Sequence, residues 1–173
     1  MASTGIRSLE KIGDREIAGL SDVLIDCVEG GASVSFMLPM TREKADAFWR
    51  SAAESVARGE RIVLAAEDAN GIVGTVQVIL AQPENQPHRG DVAKMLVHRR
   101  ARRQGVGAAL LAAAERSARE AGKTLLVLDT ASGDAERVYQ REGWQLCGTI
   151  PDYALWPGGG LCATTIYYKA LRS

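Results

Sequence analysis

Met95-Leu-Val-His-Arg-Arg-Ala-Arg-Arg-Gln-Gly-Val-Gly-Ala-Ala-Leu-Leu111 passes from an apolar run, through a basic turn broken by two glycines, into an alanine-rich run. That order predicts a strand, a tight turn and a helix. Gly105 and Gly107 leave the backbone of the turn bare, so the first N–H groups of the helix, which lack partners inside it, are open to an anion. Those donors and the positive end of the helix dipole suit a pyrophosphate. A basic surface turn that merely caps a helix is the alternative use of the same residues.

Two other phosphate motifs can be set aside. A P-loop closes on Gly-Lys-Ser/Thr, whereas Gly107 is followed by Ala108 and Ala109, which offer no hydroxyl to a magnesium ion. A dinucleotide fingerprint needs a third glycine three places after the second, and that place is Leu110.

Working outward, Ile6 to Leu9 reads as a short strand and Asp14 to Val28 as a helix, with Ile17, Leu20, Val23, Leu24 and Cys27 on one face. Thr41 is a helix N-cap for a run to about Arg58. Arg61 to Glu67 and Ile72 to Leu80 form a hairpin across Asn70-Gly71. Asp91 to Val97 feeds the glycine turn, and a helix from about Gly105 to Ala121 leads to the apolar strand Thr124 to Leu128. A short helix from Asp134 to Glu142 and strands Trp144 to Thr149 and Cys162 to Tyr168 complete the chain. The crossover from Asp91–Val97 to Thr124–Leu128 makes those strands parallel neighbours in a mixed α/β sheet, with ligands expected at their carboxyl ends.

The 173 residues suit a single domain, 1–173, and 21 basic against 21 acidic residues leave no global field for nucleic acid or an anionic membrane. No run approaches the length of a membrane span and no long apolar stretch follows the first charges, so the expected location is the cytoplasm. Cys27, Cys147 and Cys162 are widely spaced and odd in number, as reduced thiols are, and the histidines His88 and His98 stand apart, so no metal site is expected.

Arg102-Arg-Gln-Gly-Val-Gly107 resembles the acyl-CoA pyrophosphate loop of the GNAT superfamily of N-acetyltransferases, written Arg/Gln-x-x-Gly-x-Gly/Ala, and the element order resembles that whole fold. The resemblance implies an α/β, single-domain, mixed and mostly antiparallel sheet, flanked by helices, whose central parallel pair splays at the acetyl-CoA site. It implies acetyl-CoA as co-substrate, its pantetheine arm along Met95, Leu96 and Val97 and its pyrophosphate on the backbone of Arg102, Arg103, Gln104, Gly105, Val106, Gly107 and Ala108. Ser132, where the family frequently has asparagine, and Asp134 are weaker candidates for cofactor contacts. Many relatives carry proline two residues after the strand; Arg99 stands there instead. Tyr139, in Ala135-Glu-Arg-Val-Tyr-x-x-x-Gly143-Trp144, matches the tyrosine that protonates the departing CoA thiolate, and a phenol of pKa near ~10 suits that task. Ordinary packing is the alternative.

An attacking amine must first lose a proton. Asp91 and Asp129 are the candidate bases: the first opens the cofactor strand, and the second ends an otherwise apolar one, where solubility alone hardly explains a carboxylate. By this reading they lie at opposite ends of adjacent strands. Gly30-Gly-Ala-Ser-Val-Ser-Phe-Met37, Lys94-Met-Leu-Val97, Leu128-Asp-Thr130 and Ala163-Thr-Thr-Ile-Tyr-Tyr-Lys169 resemble the tabtoxin-resistance acetyltransferase branch, in which matching acids handle the amine proton. Phe36 and Met37 on one wall, and Asp152, Tyr153 and Trp156 in a loop from Pro151 to Trp156, are expected to hold the acceptor; lid packing or a homodimer contact would use them equally well. The expected activity is direct acetyl transfer to a small-molecule amine, such as a toxin or antibiotic. The alternatives are a protein or peptide N-acetyltransferase and a silent CoA-sensing domain.

Overall fold

The computed structural model describes residues 3–131 and 133–172. Seven strands form one sheet in the order β1-β2-β3-β4-β5-β7-β6, with β1 Gly5–Ser8, β2 Arg61–Asp68, β3 Gly71–Ile79, β4 Arg89–Val97, β5 Leu125–Thr130, β6 Gln145–Leu155 and β7 Leu161–Ala170. Among the described residues only β4 and β5 run parallel; the other pairs are antiparallel. The expected mixed α/β sheet with a central parallel pair is therefore present.

Helices α1 (Asp14–Glu29) and α2 (Arg42–Ala57) cover one face of the sheet, and α3 (Val106–Glu120) and α4 (Gly133–Arg141) cover the other. α1 buries Ile17, Leu20, Val23, Leu24, Cys27 and Val28 at helical spacing, and its first turn is closed by the Gly13 N–H donating to Glu16 Oε2 at 3.1 Å. Thr41 caps α2 as predicted, its Oγ1 accepting from the Lys44 N–H at 3.2 Å. The Asn70-Gly71 hairpin also forms: the Asn70 N–H bonds Asp68 Oδ1 at 2.8 Å, and Gly71 takes the φ of +115° that the turn demands.

Strand parity divides the core in two. Val63 and Ala65 of β2 point to α1 and α2, whereas Leu126 and Leu128 of β5 join Leu110, Leu111 and Ala114 of α3 on the other side. Across that second core, buried Glu115 accepts from Lys169 Nζ and from Trp144 Nε1, all at 3.0 Å.

Two expectations need correction. Pro151 to Trp156 is not a loop, because β6 continues to Leu155 across a register shift between Ile150 and Ala154, where Asp152 takes a φ of +53°. Proline, an irregular backbone and solvent on the edge strand together hid a strand behind a turn-like composition. Asp91 and Asp129 are not at opposite ends either: Asp91 is level with Val127, so only two residues of strand rise separate the acids along the sheet.

Candidate active site

β4 and β5 are paired at only three positions, Arg89–Leu125, Gly90–Leu126 and Asp91–Val127. Beyond them β5 stays bonded to β7 as far as Thr130, while β4 stays bonded to β3 as far as Val97, so a gap opens between the two strands. One extra residue in β4 accompanies the separation. Gln77 opposes Ala93 and Thr75 opposes Leu96, so the single residue Val76 of β3 faces two of β4, Lys94 and Met95, with Lys94 at a φ of +50°. Met95, Leu96 and Val97 thus lie along the open edge, where an extended chain bearing amides can find backbone partners.

At the carboxyl end of β4 a 3-10 turn, Arg99–Ala101, leads to the glycines. Arg99 donates its backbone N–H and its Nε to the Asp26 carboxylate at 2.9 and 2.8 Å. Burial pushes the Asp26 carboxyl up, but the Arg99 bonds and the charges of His98 and Arg99 outweigh it and leave the group below its ordinary value. This anchor was not anticipated, since nothing in sequence spacing links positions 26 and 99. Arg102 turns back, its Nε donating to the Val97 carbonyl at 3.1 Å, so it serves the turn through structure as well as charge. Arg103 is exposed and left-handed, at a φ of +59°, with no ion pair among the described residues.

Gly105 is left-handed at a φ of +77°, and nothing lies within 4 Å of a Cβ added to it; an added Cβ on Gly107 would touch only Val97, at 4.0 Å. The N–H groups of Gly105, Val106, Gly107 and Ala108 donate to no acceptor among the described residues, and the first bond of the helix is from the Ala109 N–H to the Gly105 carbonyl at 3.0 Å. Four open donors on bare backbone at a helix start fit a pyrophosphate.

Asp129 reaches the gap from the face of α1 and α2. It is exposed, forms no ion pair within 4 Å among the described residues, and accepts from Thr164 Oγ1 at 2.7 Å. Asp91 shares that face, roughly 8 Å away by strand spacing and rise, but is bound by Arg89 and by Gln82 Nε2 at 3.2 Å. Lys94, which sequence reasoning passed over as a candidate, bridges the region: its Nζ donates to Ser35 Oγ at 3.0 Å and lies 5.7 Å from the Phe48 ring centre. Burial pulls its pKa down, and the Asp129 charge opposes this.

Tyr139 comes from the opposite face. Its ring is buried against Trp144 and Tyr167, at centroid distances of 5.9 and 5.8 Å. Burial first, and the Asp129 charge second, push the phenol pKa strongly up, so the hydroxyl stays protonated. Asp134 is exposed in the first turn of α4, where a carboxylate complements the helix dipole; Ser132 lies outside the described residues. Cys27 is buried and its thiol pushed up by burial, which disfavours a nucleophilic thiolate.

The two expected acceptor walls meet. The Leu38 N–H donates to the Pro157 carbonyl at 3.0 Å and Ser33 Oγ to the Leu155 carbonyl at 3.2 Å, tying the segment after α1 to the β6–β7 hairpin. Phe36 packs edge-on against Phe48 at 5.4 Å, while Met37, Asp152, Tyr153 and Trp156 are exposed.

A family model described as an acetyltransferase (GNAT) domain matches residues 58–146, a stretch that includes the hairpin, the gap, the glycine turn and α4, and the chain belongs to that family. Solved structures share the fold. The yncA protein of Salmonella typhimurium, solved with its cofactor acetyl-CoA, is 18% identical with a TM-score of 0.77 over 99% of this chain and 95% of that one. A ribosomal-protein-alanine N-acetyltransferase of Brucella melitensis is 22% identical with a TM-score of 0.77, over 96% and 99%. A phosphinothricin acetyltransferase of Sinorhizobium meliloti in complex with AcCoA is 14% identical with a TM-score of 0.78, over 96% and 88%.

Proposed function

We propose that this N-acetyltransferase uses acetyl-CoA to acetylate the primary amine of a small molecule, by direct transfer. The observation that carries the reading is the gap between β4 and β5, with open N–H donors at one end and Asp129 on its β5 side, while Tyr139 packs on the opposite face of the sheet and feels the Asp129 charge. Acetyl-CoA supplies the activated acyl group. Gly105 to Ala108 hold its pyrophosphate through their backbone, and the free edge at Met95 to Val97 aligns its amide-bearing arm. Asp129, free of ion pairs, takes the amine proton directly or through one water; Asp91, held by Arg89, orients the surroundings. Tyr139 gives its proton to the departing sulfur. Holding amine and thioester in attack geometry is worth roughly 7–11 kcal/mol, so no covalent enzyme intermediate is needed.

The small-molecule assignment is supported by the hydrogen bonds from Leu38 and Ser33 that tie the segment after α1 to the β6–β7 hairpin and bring the two expected acceptor walls together. A toxin or antibiotic amine is the substrate class we favour, on the sequence resemblance to the tabtoxin-resistance branch and the phosphinothricin acetyltransferase among its structural neighbours. Exposed Leu146, Ile150 and Leu155 on the edge strand β6 suit a homodimer contact. Sedimentation of the wild type against Leu146→Glu tests that contact.

The test of function is thiol release from acetyl-CoA over a panel of amines. Asp129→Asn should lower kcat at neutral pH, with a deficit that shrinks as pH rises and more acceptor is already neutral. A deficit independent of pH, with cofactor binding intact, would reassign Asp129 to positioning.

A further inference from the structure

Three side-chain nitrogens are buried without a hydrogen-bond partner among the described residues: Arg61 Nε, Gln77 Nε2 and Trp49 Nε1. All three are donors. A buried donor left unpaired costs about 1–3 kcal/mol, so a chain that keeps three on one side of its sheet is suited to an acceptor group arriving from outside. Two are already joined to each other: Arg61 Nη1 donates to Gln77 Oε1 at 2.6 Å, which fixes the amide with its NH₂ end outward from that bond.

Strand register places this pair on the substrate side. Arg61, Ile79, Asp91 and Val127 form one row across β2 to β5, and Val63, Gln77 and Ala93 form the row two residues along, on the same face. Val63 packs with α1 and α2, so Arg61 and Gln77 share that face, as does Asp129, which alternates with Leu126 and Leu128 of the opposite core. Gln77 is two strands from Asp129, about 10 Å before the splay is counted. Lys94 belongs to the intervening strand β4, where its Nζ is held by Ser35 Oγ at 3.0 Å, and the charges of both Arg61 and Asp129 act on it.

The charges facing this region do not balance. Asp91 is paired with Arg89, Glu60 with Arg58, and Lys94 donates only to Ser35, so Arg61 has no carboxylate partner within 4 Å among the described residues. A half-buried guanidinium whose only hydrogen-bond acceptor among the described residues is a neutral amide has no ion-pair partner in contact, and the Glu60 charge acts on it without a bond.

Building on the acetyl-transfer reading, we propose that Arg61 and Gln77 form an oxyanion subsite, which selects acceptors carrying a carboxylate or similar group a few bonds from the amine. The amine then faces Asp129 and the anion faces Arg61, with Lys94 adding charge between them.

The test pairs turnover with a binding readout that needs no turnover. L-leucine, L-methionine and L-glutamate are each compared with their α-amides as acceptors, in the wild type, in Arg61→Met and in Gln77→Glu. The second variant places a carboxylate beside Arg61 and so supplies the missing partner internally, keeping the fold. The Arg61 Nε–H resonance is followed in the intact protein during titration with sodium acetate and, as control, acetamide. The subsite predicts at least a tenfold preference in kcat/KM for acid over amide, lost in both variants mainly through KM, and an Nε–H shift with acetate that Gln77→Glu abolishes. Acetyl transfer without acid preference, or a preference that survives in both variants, overturns the subsite and leaves the transferase reading standing. No transfer to any amine, with the acetate shift present, overturns the acceptor reading and leaves the subsite. A resonance unmoved by acetate shows that water alone satisfies these donors, and overturns the subsite.

Discussion

Tyr139→Phe separates the two uses of one side chain. The ring is buried at 4% exposure between Trp144 and Tyr167, and phenylalanine keeps all of that apolar contact. The hydroxyl bonds no group among the described residues, so its removal forfeits no protein hydrogen bond, and the change in folding free energy should lie within about 0.5 kcal/mol, against the ~1 kcal/mol that a satisfied bond would cost. Catalysis should respond on another scale. A positioned proton donor contributes roughly 10²–10⁴-fold, or about 3–5 kcal/mol of barrier. The variant should therefore unfold in urea at the wild-type midpoint, retain its KM for acetyl-CoA, and lose at least a hundredfold in kcat in single-turnover thiol release. Because burial and the Asp129 charge hold the phenol protonated, the wild-type rate should show no decline from Tyr139 ionisation through the neutral range. Unchanged single-turnover rates in a folded variant would refute the acid role. A loss of stability well above 1 kcal/mol would show instead that the hydroxyl is a structural hydrogen-bonding group.

Gly107→Glu should leave the urea midpoint nearly unchanged, since space for a Cβ is open there, yet calorimetry should show at least a hundredfold loss of acetyl-CoA affinity from bulk and charge at the open donors. Glu115→Gln removes the buried partner of Lys169 and should cost about 3 kcal/mol in chemical denaturation, the low end of the range for breaking a buried pair. Asp26 has a folded pKa below its unfolded value, so its stabilisation is present above pH ~4 and is lost as pH falls through the folded pKa. The Tm difference between wild type and Asp26→Asn should accordingly be constant from pH 7 to 5 and shrink below ~4.

The glycine turn, the parallel crossover, the Thr41 cap and the Asn70-Gly71 hairpin were legible because each is a local signal with a local cause. Tyr139 and Asp129 stood out in the sequence as candidates, through their neighbours. Their arrangement was not, since which face a strand residue takes depends on register, and register was visible only once Asp91 was found level with Val127. The same dependence hid the burial of Arg61, Gln77 and Lys94, three polar residues in apolar strands that look like ordinary surface positions until the helices are in place. The second half of β6 was lost because edge strands exposed to solvent carry no apolar period to read.

The extra residue in β4 has a consequence for how this protein can change. Val92 and Leu96 are an even number of positions apart, yet Val92 packs in one core and Leu96 in the other, because the added residue inverts the parity of the strand between them. The opening is thus written in the length of the chain rather than in the identity of any side chain. Substitutions can reshape its walls and retune what enters, but erasing it requires a deletion, and a deletion would turn every later residue of β4 to the wrong face at once. Binding capacity and the partition of the two cores are inherited together, which leaves the acceptor end free to diversify around a fixed defect in the sheet.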